Sequence, residues 1–145
     1  MISFQTKDVA IPQLDFAQVE SWLQAVAAHH KKKIGRLNYL FCDDEEILRV
    51  NREFLHHDYY TDIITFDYSR GEKVSGDLFI SLDTVKSNSK ELGETYSSEL
   101  LRVIAHGLLH LCGIDDKGPG EREIMESQEN DSLDIWKSLT EGKTE

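Results

Sequence analysis

Apolar side chains recur along this chain in two rhythms, one of two residues and one between three and four. Residues 2–5 alternate as a short first strand. Phe16, Val19, Trp22, Leu23 and Val26 then return at helical spacing, and Asp15 with Gln18 forms a capping pair at the start of that helix. The helix is expected to fray into Lys31, Lys32 and Lys33, where cations suit a helix C-terminus. Leu37, Tyr39 and Phe41 mark a second strand. Asp43, Asp44, Glu45 and Glu46 place acids at the start of the next helix, whose apolar side is Ile47, Leu48, Val50 and Phe54.

A polar loop over 55–60 leads into a strand over 62–66, a turn containing Gly71 and another strand over 76–82. Residues 83–92 read as a short helix ended by Gly93. Thr95 caps a helix reaching Cys112. Leu100, Leu101, Val103, Ile104, Leu108 and Leu111 wrap most of its surface, which predicts a central, buried helix. A last helix over 121–139 carries Ile124, Met125, Leu133 and Trp136 inward, and the tail 140–145 is expected to be loose. The mixed order of strands and helices predicts one α+β domain over 1–139, a small mixed β-sheet packed with helices.

Composition changes this picture little. A chain of 145 residues, 39% hydrophobic and 30% charged, suits one soluble domain with a real core. No apolar run approaches membrane-spanning length, and the N-terminus lacks the basic start and apolar stretch of a signal peptide. A cytoplasmic protein with no membrane partner is the expectation. Cys42 and Cys112 sit in no CxxC pair, so reduced thiols are expected. Charge matters more. The net charge of -11 opposes binding to a polyanion. Against it runs a local basic cluster, His29-His30-Lys31-Lys32-Lys33 with Arg36 close behind, while the stretch from Glu121 onward is acidic.

The chemistry concentrates in His106-Gly107-Leu108-Leu109-His110. Four residues is just over one helical turn, so both imidazoles leave the same face. Gly113 can end the helix and let Asp115 or Asp116 fold back towards them. Two His and a carboxylate can hold a zinc-like ion with one position open for water, which predicts a metal-dependent hydrolase. The ligands must be deprotonated, so metal affinity should fall as pH drops through the His range. Gly107 stands where the HExxH proteases carry their general base, which argues against such a protease. The ion acting alone on its water, or Asp115 assisting, are the two candidates for that role, and Asp115 also reads as a plain helix-end carboxylate. Arg102, one turn before His106, could hold a phosphate or pair with Glu99. Cys112 turns to another helix face and reads as core packing. His56 and His57 read as substrate contacts or as solvated loop residues.

Three segments then stand out together: the run Val103 to Asp116 containing H-G-L-L-H-L-C-G-I-D-D; Asn51-Arg52-Glu53-Phe54 with Asp58 to Phe66; and Gly76-Asp77-Leu78-Phe79-Ile80. In order and spacing they resemble the YbeY family of bacterial endoribonucleases and rRNA maturation factors. The resemblance implies a zincin-like fold with one zinc ion per chain held by three side chains, or another divalent metal in its place. His106 and His110 match the first two ligand positions, and Asp116 falls on the third, where the family commonly has His. The resemblance also implies cleavage of single-stranded RNA in maturing the 3′ end of 16S rRNA, and a role in ribosome quality control. Ribosomal RNA, the ribosome and assembly proteins are the implied partners. The loop from His56 to Asp62 would line the substrate cleft, with His57, Thr61 and Asp62 as contacts. Leu55 stands where the family has an Arg, and Arg52 or Arg102 could replace it. Two other classes remain open: an assembly factor whose metal is structural, marked by a fourth protein ligand, and a hydrolase of a small phosphoester or amide.

Overall fold

Strand alternation sorts the apolar side chains onto two faces of a sheet, and helices cover each face differently. In a computed structural model describing residues 1–141, the elements in chain order are β1 (Ile2–Thr6), α1 (Phe16–His29), β2 (Lys33–Cys42), α2 (Asp44–Leu55), β3 (Ile63–Asp67), β4 (Lys73–Ser81), α3 (Leu82–Leu92), α4 (Tyr96–Leu111) and α5 (Glu121–Glu141). The strands form one mixed sheet in the order β1-β2-β4-β3. β1, β2 and β4 are parallel, and β3 pairs antiparallel with β4 at the edge. This is the α+β architecture the patterning predicts.

Leu37, Tyr39 and Phe41 of β2, with Leu78 and Ile80 of β4, point to the face covered by α1 and α4. Trp22 and Leu108 complete that core without exposure. The intervening residues serve the other face, where Cys42 and Ile64 meet Ile47 and Val50 of α2. Two buried polar atoms tie the helices down. The Tyr39 hydroxyl donates to the Ile104 carbonyl at 2.8 Å, and the Trp22 indole N–H donates to the Ser132 carbonyl at 2.7 Å. The first fixes α4 against β2; the second fixes α5 against α1. Burial pushes the Tyr39 hydroxyl far above its ordinary pKa, so it stays a neutral donor.

Several local expectations change. The lysine run does not fray from α1. The helix ends at His29, Lys31 adopts a left-handed conformation at φ 60°, and Lys33 already belongs to β2. Lys33 N–H donates to the Glu72 carbonyl at 2.8 Å, so sheet pairing claims the backbone that a helix end would leave free. β4 begins three residues before the expected 76, and Leu82 opens α3 rather than ending the strand, because Ser81 caps that helix. Phe54 and Ile124 are exposed, not inward-facing. α5 continues through Thr140 to Glu141, and the rest of the expected loose tail, 142–145, lies outside the described residues. No helix among the described residues is long and apolar enough to cross a membrane.

Candidate active site

The site begins with α4, whose apolar stripe leaves one strip for polar residues. Thr95 caps the helix by accepting from Ser98 N–H at 3.1 Å. Gly107 lets the helix lie directly on the sheet: a Cβ there would run into the Leu78 side chain and come within 2.8 Å of Ile63. Gly107 is therefore a packing position, and a Glu in its place would point into the sheet. The two histidines emerge on the flank next to it, into a cleft of about 820 Å³ between α4, β3, α5 and the loop after α2.

His106 is anchored from behind. Its Nδ1 lies 2.7 Å from a Glu129 carboxylate oxygen on α5. The other Glu129 oxygen accepts from Arg102 at 3.0 Å, and Arg102 also donates to Asn130 at 3.0 Å. A carboxylate on one ring nitrogen fixes the tautomer and presents the other nitrogen as a lone pair, the usual arrangement behind a metal-binding His. That other nitrogen, Nε2, faces the Asp116 carboxylate at 3.4 Å. Two ligands of a tetrahedral ion bonded at ~2.0–2.1 Å stand about 3.3 Å apart. The chain reaches this geometry through Gly113, whose φ of 98° turns it back after α4.

His110 lines the same cleft one turn later. Its Nδ1 lies 3.9 Å from Asp115, which is largely exposed and sits on the outer side of the ring, outside the cleft lining. Among the described residues, no three His, Cys, Asp or Glu side chains are already gathered as a metal-binding group. The donor chemistry nevertheless fits a divalent ion: an anchored imidazole, a carboxylate at ligand spacing and a second imidazole on the same helix face. The field points the same way. Burial disfavours the His106 imidazolium, but the hydrogen bond and charge of Glu129, with the charges of Asp116 and Asp62, outweigh it and raise its pKa. That field stabilises positive charge at Nε2.

The remaining expected contacts fall around this centre. His57, Thr61 and Asp62 all line the cleft. The loop that carries them folds back on Asn51, which is buried and donates from its side chain to the Tyr59 carbonyl at 2.9 Å. His56 takes a left-handed conformation, and His57 N–H donates to the Asn51 carbonyl at 3.0 Å. The His57 ring stacks on Tyr59, with Nδ1 3.1 Å from its hydroxyl. Burial raises the pKa of Asp62, against the opposing effects of His106 and the nearby backbone N–H groups. Cys112 packs beside the core, as expected.

Three points differ from the sequence reading. Arg102 does not pair with Glu99; Glu129, 27 residues on, takes it instead. Arg52 is ion-paired with Asp58. Glu129 itself was missed. Its signal was the spacing Met125, Glu129, Ser132, Trp136, which puts an acid on the inward stripe of α5.

Glu99 now stands as a buried carboxylate with one oxygen lacking a hydrogen-bond partner, and burial raises its pKa. The folded protein thus binds that proton more tightly than the unfolded chain does. The associated stability is present below the unfolded pKa and is lost as pH rises through the raised folded value. Glu99→Gln is expected to raise the melting temperature at pH 8 by about 2–4 °C, the shift that ~1 kcal/mol produces in a domain of this size. The gap to wild type should close on acidification to pH 4, and a gap that widens instead would contradict the assignment.

The chain matches the sequence model described as Endoribonuclease YbeY over residues 1–137. It is 58% identical over 133 residues to Endoribonuclease YbeY of Phocaeicola vulgatus, covering 92% of this chain and 96% of that one. Endoribonuclease YbeY of Bacteroides thetaiotaomicron is 56% identical over 132 residues, covering 91% and 96%. That of Porphyromonas gingivalis is 48% identical over 132 residues, covering 91% and 87%. Among solved structures, the solution structure of TM1509 from Thermotoga maritima has the same fold, with a TM-score of 0.66 at 24% identity over 98% of this chain and 93% of that one.

Proposed function

The chain belongs to the endoribonuclease YbeY family and is an RNA-hydrolysing enzyme; from that premise we propose that it is a metal-dependent, single-strand-specific nuclease of the cytoplasm. Its role is maturation of the 16S rRNA 3′ end and ribosome quality control, and the ribosome is its partner. The arrangement is zincin-like, with His106, His110 and Asp116 as the residues that would hold one zinc ion. The observation that carries this reading is the pair of contacts on one ring: Glu129 behind His106 at 2.7 Å and Asp116 before it at 3.4 Å.

A bound zinc ion would supply Lewis acidity at a phosphodiester oxygen and acidify a water. The chain's own residues do the rest. Glu129 holds the His106 tautomer and keeps Nε2 facing the cleft. Arg102 buttresses Glu129, so its positive charge reaches the cleft wall without a free guanidinium fork. His57, Thr61 and Asp62 line the side where a flexible single strand would lie. Leu55 lines the cleft too, and it offers apolar contact where the family has a cation. His110 lines the same cleft and would complete the ligand set.

A labelled single-stranded RNA and its duplex test the reading directly. Cleavage of the single strand should run about 10-fold faster or more, since unstacked backbone alone fits such a groove. Chelation should stop it and zinc should restore it. Equal rates on both RNAs, or cleavage indifferent to chelation, would overturn the proposal.

A further inference from the structure

The cleft is poorly charged for its substrate. Five carboxylates line it against three cations, Arg102, Lys117 and Arg122, and Arg102 is held by Glu129. Phosphate contacts dominate RNA affinity, so a chain of net charge -11 needs its cations gathered somewhere. The fold gathers them at the far end of the edge strand. Parallel pairing sets Lys33 beside Lys73, and Arg70 bridges to Lys73 across the turn after β3. Like charges placed side by side in a sheet cost stability, so this grouping has no packing rationale. A bulge between Ile34 and Leu37 sets two β2 residues against Ser75 alone and turns Arg36 out to solvent. Lys32 adds its ammonium, 3.5 Å from the Gly71 carbonyl.

The side chains of Lys33, Arg36, Arg70 and Lys73 are exposed and make no ion pair among the described residues. The local carboxylates are Asp67, engaged with Ser69 N–H at 2.8 Å, and Glu72. β3 joins this end to the cleft: Ile63, Ile64 and Thr65 line the cleft, and the strand then runs ~3.3 Å per residue to the turn. Tyr68, 60% exposed, stands between them with an open aromatic ring. Cations beside an exposed aromatic along one rail are what sequence-independent binding of a single strand uses.

We propose that the β3–β4 turn, through Lys33, Arg70 and Lys73 with Tyr68 as a stacking platform, binds the backbone of single-stranded RNA extending beyond the cleft. This rests on the endoribonuclease reading above. It makes affinity depend on RNA length: a short oligonucleotide fills the cleft alone, and a longer one also reaches the turn.

The test compares wild type with a Lys33→Ser, Arg70→Ser, Lys73→Ser triple variant and with Tyr68→Ala, on non-self-pairing RNAs of about 4 and about 16 nucleotides. The triple variant should bind the long RNA about 10-fold or more weakly at low salt, with its log–log salt slope reduced by about 2, the loss of three phosphate contacts at ~0.7 each. Tyr68→Ala should weaken the long RNA by about 5-fold or more. Lys33→Arg with Lys73→Arg should bind like wild type. Cleavage of the short RNA should be unchanged in every variant. Unchanged affinity and salt slope in the triple variant, with wild type cleaving both RNAs, would overturn this assignment alone. So would capture of a polyglutamate peptide at the turn with RNA affinity unaffected. Failure of wild type to cleave either RNA would overturn the nuclease reading and this inference with it.

Discussion

Single-stranded RNA cleavage is expected to fall by about 100-fold or more when His110 is replaced by Ala. Loss of a partner behind a metal ligand costs ~10–100-fold, and loss of a ligand itself exceeds that. His110 contributes less to the core than its neighbours; its side chain is 38% exposed, whereas Leu108, Leu109 and Leu111 are buried. The variant should therefore melt like wild type without added metal, and its zinc content after identical purification should drop. The comparison separates three outcomes. Loss of cleavage with loss of zinc ties the nuclease to this centre. Equal cleavage by both proteins identifies a contaminating ribonuclease. Loss of cleavage with zinc retained would remove His110 from the ligand set and return Asp115 to consideration.

Glu129→Ala should weaken zinc binding and cleavage by about 10- to 100-fold without removing a ligand. The carboxylate touches two residues at once, His106 Nδ1 at 2.7 Å and Arg102 at 3.0 Å. Without it the imidazole loses the acceptor that fixes its tautomer, and Arg102 keeps only its bond to Asn130. Glu129 is a positioning residue, so the readout must go beyond rate. A chromophoric chelator competition should show the affinity loss, and the pH at which metal is released should shift. The carboxylate raises the His106 pKa, so its removal lets the imidazole shed its proton at lower pH. Wild type should begin to lose metal at higher pH than a variant whose His106 is unassisted, once each is measured against its own saturation. Glu129→Gln should recover part of the loss by keeping one acceptor oxygen. A variant with wild-type metal affinity and a changed melting temperature would make Glu129 a structural residue only.

The two departures from the family pattern take different forms in the fold. Asp116 lies 3.4 Å from His106 Nε2, within the spacing that the proposed ligand set requires. Leu55 ends α2 at the cleft rim, and neither arginine offered in its place is free: Arg52 pairs with Asp58 and Arg102 with Glu129. Phosphate binding in this chain therefore has to come from elsewhere than the family position. That deficit is the reason the cationic turn at Lys33, Arg70 and Lys73 carries weight.

Much of the architecture followed from spacing that the backbone imposes. Period two marked the strands, period 3.6 marked α1, α4 and α5, and the caps at Asp15 and Thr95 stand where short polar side chains can take free N–H groups. His106 and His110 share one face because a helix turns once in 3.6 residues, whatever surrounds it. The structure alone decided everything that depends on residues far apart in the chain. Lys33 is a strand residue because Lys73 of β4 lies beside it and the Glu72 carbonyl just before that strand takes its N–H, and Gly107 is a packing residue because Leu78 and Ile63 press on it. Arg102 prefers Glu129 to Glu99 because α5 crosses α4 there. Local chemistry is written in neighbours along the sequence, but the partner behind a ligand, and the gathering of cations from β2 and the β3–β4 turn, arise only when the chain closes on itself.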